Sequence, residues 1–374
     1  MQDKKNLEEQ LNQEAVEKET TETISTESVP AEAAEAAADK FEDTPLDKNV
    51  KLMSPGRMVA RRFFRSKLSI TGLIMLIVLF LFSWLGPVVY HAWGETETDR
   101  SGKTDYSSFE VSAVEGEEEY GEGVMIIVRE SSINRLARPS IKHLLGTDEG
   151  GKDVFMRLMY GGRLSLLVSF IAVILTTVLG VVLGGVAGYY GGWVDNVIMR
   201  FCDVLMCLPT LPLMLILGTV LNENGISAEY YIYILMILLS AFSWPGMARL
   251  VRGQILFLRE QEYMVAAEAM GYSSARRIFK HLIPNVLPQI IVTMTMSLGS
   301  MILYESALSY LGLGVKPPYA SWGTMVSIIS GGDPAIMAST WAWVPAGICI
   351  VLAVLGFNFI GDGLRDALDP KQRR

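Results

Sequence analysis

Charged and nucleophilic side chains are sparse in the apolar stretches of this 374-residue chain, so each one found there asks for a role. The stretch most suggestive of chemistry is "GTDEGGKD", Gly146 to Asp153, which satisfies the G-x-x-x-x-G-K pattern of a phosphate-cradling loop. Such a loop needs Ser or Thr at its eighth position to reach Mg²⁺ through a hydroxyl. Asp153 stands there instead and adds negative charge where phosphates would lie. No other phosphate-binding pattern occurs, so any ATP used must be bound elsewhere, and no cofactor is assigned to this chain. His91, His143 and His281 are scattered without metal-ligand spacing, and Cys202, Cys207 and Cys349 lie in or beside apolar runs, where no disulfide framework is implied. Two carboxylates remain: Glu305, inside an apolar run where a charge costs about 3 kcal/mol to insert, and Asp203, near the inner end of another. Glu305 fits two roles: lining a translocation path, or bracing backbone near the Leu311–Gly314 turn. Asp203 divides the same way, with bracing favoured.

The elements that must position these groups are read from hydropathy. Half of the residues are hydrophobic, and they fall in blocks at 68–90, 164–187, 204–221, 230–251, 286–311 and 341–361. A membrane-spanning helix needs roughly 20 mostly apolar residues. Six blocks near that length predict an all-α polytopic membrane protein with six transmembrane helices. Pro209, Pro212 and Pro245 are expected to bend their spans.

The net charge of −8 is carried by one end of the chain. Residues 1–50 hold 14 Asp/Glu against 5 Lys, so the remainder is close to neutral. Residues 1–56 read as a disordered acidic tail on the cytoplasmic side, without the basic and apolar regions of a signal peptide. Arg57, Arg61, Arg62, Arg65 and Lys67 then alternate with Met58, Val59, Phe63 and Phe64, as in an interfacial helix lying on anionic lipid. With the first span, this segment covers 57–90. The positive-inside rule puts both termini in the cytoplasm. Loop 222–229 has no Lys or Arg and 312–340 only Lys316, as outer loops should, whereas 252–285 carries Arg252, Arg259, Arg276, Arg277 and Lys280. Residues 91–162 form a long extracytoplasmic loop, with "FEVSAVEGEEEYGEGVMIIV" reading as a hairpin in a small subdomain. Five spans follow over 163–362, then a cytoplasmic tail over 363–374.

One inner segment does not look like a connecting loop. In "EYMVAAEAMGYSSARRIFKHLIPN", Glu262 to Asn285, residues Tyr263, Ala266, Ala267 and Met270 recur at helical spacing. Gly271 suits a left-handed cap, and Ser273 or Ser274 can start a second helix with Ile278, Phe279, Leu282 and Ile283 on its stripe. Pro284 is expected to close it. The product is a helical corner in the cytoplasm. It either offers an apolar face to a partner or packs under its own bundle.

The corner resembles the EAA loop of the inner-membrane permeases of bacterial ABC importers. Ala266, Ala267, Gly271 and Pro284 are in register with that motif, whereas Val265 replaces its leading Glu and His281, Leu282 and Ile283 occupy its I-x-L positions. "AAEAMG" and "KHLIPN" resemble the version found in peptide importers. "LGTDEGGKDVFMRLMYGGRLSLL" (Leu145–Leu167) and "YESALSYLGLGVKPP" (Tyr304–Pro318) resemble two further motifs of that branch, with Lys152 for Arg and Tyr310 for Phe. The likeness runs over about residues 57–369 and identifies the chain with the C-type permease subunits of oligopeptide or dipeptide importers, of the type I ABC importer permease fold.

That resemblance implies a bacterial cell membrane location and a second homologous permease. It also implies one or two cytoplasmic ABC ATPases that bind the ATP, and an extracellular peptide-binding protein; no nucleic acid is involved. The chain would be a transport subunit and not an enzyme. The corner would seat in an ATPase, with Ala266, Ala267 and Gly271 giving close approach, Tyr263, Met270, Ile278 and Phe279 as apolar anchors, and Arg276 and Arg277 as charge partners. Glu305 on the path would meet the peptide's amino group. Importers of nickel, glutathione or another small solute share these motifs. An ion-coupled secondary transporter is the rival from another class, but no inverted repeat is visible and the corner would go unexplained.

Overall fold

The computed structural model describes residues 55–102, 106–109, 126–129 and 133–369. The acidic tail up to residue 54 and the last five residues lie outside these, as does the turn expected between 110 and 125.

Helix α1, Pro55–Phe63, turns Phe63 inward and leaves Met58 and Phe64 on the surface beside the arginines. Ser66 caps the next helix by accepting from the Ser69 N–H. That helix, α2 (Lys67–Val89), has 23 residues, about 34 Å at 1.5 Å per residue, enough to cross a bilayer. It is exposed along Ile74, Ile77, Val78, Leu81 and Leu85. On its other side a Cβ at Gly72 would stand 2.8 Å from the Gly356 carbonyl, so small residues set the approach of the last helix.

In the segment after α2, strands β1 (Tyr106–Phe109) and β2 (Ile126–Arg129) pair antiparallel with Tyr106 opposite Arg129. The pairing lies at the edges of the segment expected to form a hairpin. The loop ends earlier than the expected boundary at 162. Helix α3, Val154–Tyr190, already begins at Val154 and runs 37 residues, about 55 Å. The apolar window missed this start because Arg157, Gly161, Gly162 and Arg163 lower its hydropathy, although Val154, Met156, Leu158 and Met159 are buried within the fold.

The third span is also corrected. Expected as one helix over 204–221, it is a pair, α4 (Gly192–Cys207) and α5 (Thr210–Glu223), bent by 80° at Leu208–Pro209. Pro209 has no N–H to continue the ladder, and Leu208 is extended, as a residue before proline prefers. Pro212 sits in the first turn of α5 and Pro245 within α6 (Ala228–Arg259), which continues through it as one helix. Among the described residues, five helices are long and apolar enough to span a membrane, and six if the bent pair crosses once.

After α6 come α7 (Glu262–Ala269), the short α8 (Ser274–Arg276), a π-turn over Arg277–Leu282 and α9 (Ile283–Leu308). Pro284 therefore does not close the segment. It stands in the first turn of α9, and the wider π-turn before it removes the demand for its missing N–H. A second π-turn at Ser309–Leu313 leads through Gly312, at φ +81°, to helices α10 (Trp322–Ser327), α11 (Pro334–Ala338) and α12 (Val344–Leu368).

The interior divides by height. One large apolar cluster joins α2, α3, α6, α9, α10 and α12 around Leu166, Leu239, Ile302 and Trp322. A smaller one beside the 262–285 corner gathers Met247, Val251, Ile255, Met264, Leu282, Val286 and Ile290.

Candidate coupling elbow and buried polar sites

The corner at 262–285 is an elbow with two arms. Met270 caps α7, and Gly271 turns the chain at φ +75°, the left-handed region that glycine enters without cost. Ser273 then caps α8, accepting from the Arg276 N–H. Both signals were legible in the sequence.

The faces differ in part from expectation. Tyr263, Ala266, Met270 and Phe279 are exposed, Met270 at 64% and Phe279 at 71%. Ala267 is 2% exposed and turned into the bundle, and Ile278 packs against the smaller apolar cluster with Met264 and Leu282. The close approach that Ala267 permits is thus made within this chain. The two arginines also separate. Arg276 stacks on the Tyr272 ring at 4.5 Å and remains on the surface. Arg277, only 16% exposed in its side chain, pairs with Glu268 at 2.9 Å across the Gly271 turn.

Glu305 is fully buried. Its carboxylate accepts from Ser309 Oγ and Ser321 Oγ at 2.8 Å each and from Ser165 Oγ at 3.2 Å. Three hydroxyl donors satisfy a carboxyl group that burial alone would leave at high cost. Ser165 in turn accepts the Trp322 N–H at 3.0 Å. In this conformation the bracing role is the one the geometry supports, since the buried carboxylate is held by three hydroxyls from three segments of the chain. Asp203, on α4, is half-exposed and pairs with Arg249 of α6 and, at 3.8 Å, with Arg200. It too ties one helix to another. The neighbouring Asp195–Arg252 pair, bidentate between α4 and α6, was not singled out from sequence.

The phosphate-loop lookalike is a turn built on its own side chains. Asp148 Oδ1 accepts from Gly150 N at 2.8 Å and Lys152 N at 2.9 Å, and Oδ2 pairs with Arg157 at 3.1 Å. Asp153 caps α3 through the Met156 N–H at 2.8 Å. Its other oxygen meets His143 Nδ1 at 2.8 Å, while His143 Nε2 meets Asp99 at 3.1 Å. Sequence reading passed over this cluster, because His143 and Asp99 are 44 positions apart. Burial works against ionised Asp99, but hydrogen bonds from Asn134, Ser101 and Lys142 outweigh it and hold the carboxyl below the usual range. Burial, together with Arg157, pushes Lys152 below the usual lysine range.

Two sequence motifs thereby meet in space. Arg163 of the first donates to the Ser83 and Trp84 carbonyls of α2 at 2.8 Å each, and Ser165 of the first donates to Glu305 of the second.

The fold is thus a bundle of helices long and apolar enough to span a membrane, with an amphipathic helical elbow at one end. Residues 180–374 match the family of binding-protein-dependent transport system inner membrane components, and the chain belongs to that family. Residues 54–104 match the N-terminal transmembrane domain of oligopeptide transport permease C. The chain is 35% identical over 341 residues to the oligopeptide transport system permease protein OppC of Bacillus subtilis, covering 91% of this chain and 96% of that one. It is 38% identical over 316 residues to the dipeptide transport system permease protein DppC of Bacillus subtilis, 84% and 85% of the two chains. Among solved structures it is similar to an inward-facing MetNI methionine ABC transporter, at 19% identity and TM-score 0.45, over 57% of this chain and 97% of that one.

Proposed function

We propose that the chain is one of two permeases forming the membrane pathway of an ATP-driven importer of oligopeptides or dipeptides. It works with a second homologous permease, one or two cytoplasmic ABC ATPases and an extracellular peptide-binding protein, in a bacterial cell membrane with both termini inside. The observation that carries this reading is the elbow: a glycine-turned corner that keeps Met264, Ala267 and Leu282 inside and holds Tyr263, Ala266, Met270 and Phe279 outward. That surface suits a groove in an ATPase, with Arg276 at its rim. Closure of the ATPases would swing the elbow as a rigid body. The names of the relatives favour peptide over nickel, glutathione or another small solute. ATP is bound by the partners, so this chain needs no cofactor of its own.

The test is to tag the C-terminus, extract the protein in mild detergent and identify what co-purifies. A second permease and ATPases are expected, with crosslinks from Met270→Cys to an ATPase. Recovery of the chain alone, active in ion-driven uptake, would sink the reading.

A further inference from the structure

Arg277 belongs to the elbow yet points into the bundle. Its Nη1 pairs with Glu268 at 2.9 Å and so fastens the two arms to each other. Its guanidinium carbon also lies 5.7 Å from the centre of the Tyr189 ring, in the last turn of α3. Just before the elbow, Arg259 Nη1 donates to the Tyr189 carbonyl at 3.1 Å and the Gly188 carbonyl at 3.4 Å. These are among the last four carbonyls of α3, which lack partners within the helix, and a cation there is favoured by the helix dipole as well. Between the two arginines, Met264, Ile278 and Leu282 pack with Val181 and Tyr189 of α3 and with Val251 and Ile255 of α6. A cleft lined by Tyr189, Tyr190, Arg259, Met264, Glu268, Ser274 and Arg277 marks this junction.

We infer that Arg277 and Arg259 are positioning residues that clamp the elbow to the inner end of α3. A force applied at the elbow is then delivered to α3 as well as to α9, which continues the elbow directly. The inference rests on the reading of the elbow as an ATPase seat. The length of α3 gives the clamp its consequence, because the helix runs 37 residues to its cap at Asp153 on the opposite side of the bundle. The helix is backed along its length by α6, where a Cβ at Gly184 would meet the Ala248 carbonyl at 2.3 Å, so a displaced inner end moves a braced rod. The chain's own path offers less. From the elbow it enters α9 through the π-turn, whose hydrogen bonds are less regular than those of an α-helix.

The test uses the complete importer in proteoliposomes and compares the native chain with Arg277→Ala, Arg277→Lys and the exchange Glu268→Arg/Arg277→Glu. Two quantities are read: ATPase retained through purification, and peptide accumulated per ATP hydrolysed. Retention should be unchanged in every variant. Peptide per ATP should fall about tenfold in Arg277→Ala, a span typical of coupling between sites. It should stay within about threefold of that low value in the exchange, which restores the pair between the arms but not the cation on Tyr189. Arg277→Lys should fall between Arg277→Ala and the native chain, since lysine keeps the ion pair but not the planar stack on Tyr189. An unchanged ratio in Arg277→Ala, or full recovery in the exchange, overturns the clamp. Loss of ATPase from Arg277→Ala makes Arg277 a docking contact and overturns the clamp while leaving the seat standing. No ATPase on the native chain removes the seat itself, and the clamp with it.

Discussion

The Ser165 hydroxyl donates to the Glu305 carboxylate at 3.2 Å across 140 positions of sequence, and it accepts the Trp322 N–H at the same time. One hydroxyl thus joins α3, α9 and α10 at a buried point. Removing the carboxylate leaves three serine hydroxyls without their acceptor and opens a void. Glu305→Ala should therefore cost about 3 kcal/mol, from lost acceptors and cavity together. Glu305→Gln retains an acceptor oxygen and should cost less than half of that. Thermal unfolding of the purified complex reads both. Equal stability of all three forms with altered peptide preference in Glu305→Gln would return Glu305 to the translocation path.

Single cysteines separate the two faces of the elbow. Met270→Cys and Phe279→Cys should react with a membrane-impermeant maleimide on inside-out vesicles and be protected when ATPases are bound. Ala267→Cys, at a site 2% exposed, should stay at least about tenfold slower with or without them, as burial governs thiol access. Fast labelling at Ala267 would mean that α7 is rotated from the orientation described.

Gly271→Asp should separate docking from folding. Aspartate is among the few residues that visit the left-handed region. A Cβ at Gly271 meets nothing within 4 Å, so the cost to folding should be about 1 kcal/mol. The new carboxylate would nevertheless stand on the face proposed for the ATPase. Normal membrane insertion with uptake reduced at least about tenfold is expected, a loss of 1.4 kcal/mol or more. Full uptake by this variant contradicts the assignment of the elbow.

The Asp99–His143–Asp153 cluster should respond to acid in a set direction. Asp99 has a folded pKa below its unfolded value, so its contribution to stability is fully present above about pH 4 and fades as pH falls toward the folded value. Asp99→Asn should lower the unfolding temperature at pH 7, by the equivalent of about 3 kcal/mol for a broken buried pair. It should also flatten the decline below about pH 4, where the native Asp99 contribution fades. A native chain and Asp99→Asn declining in parallel would show that other carboxylates govern that range.

The sequence by itself determined the class of molecule, the number of apolar segments and the two signals of the elbow, Gly271 and Ser273. Those features depend on sums over neighbouring residues: transfer free energy adds along a window, and a left-handed turn or a cap is decided within four residues. It also determined that Asp153 spoils a phosphate loop, because one residue type excludes that chemistry. Only the tertiary structure decided which side of the elbow faces out. Helical spacing placed Ala266 and Ala267 on one stripe, yet one is exposed and the other buried, since the bundle covers only part of that face. Arg276 and Arg277 are likewise adjacent and indistinguishable by type, but only Arg277 is within reach of Glu268 and Tyr189. The early start of α3 was hidden because Arg157 and Arg163 lower the hydropathy of its first turns, and only the fold supplies Asp148 and the α2 carbonyls as their partners. Glu305 stayed open between two roles for the same reason. Whether a buried carboxylate is a brace or a binding group depends on what lies opposite, and Ser165 arrives there only when the chain has folded.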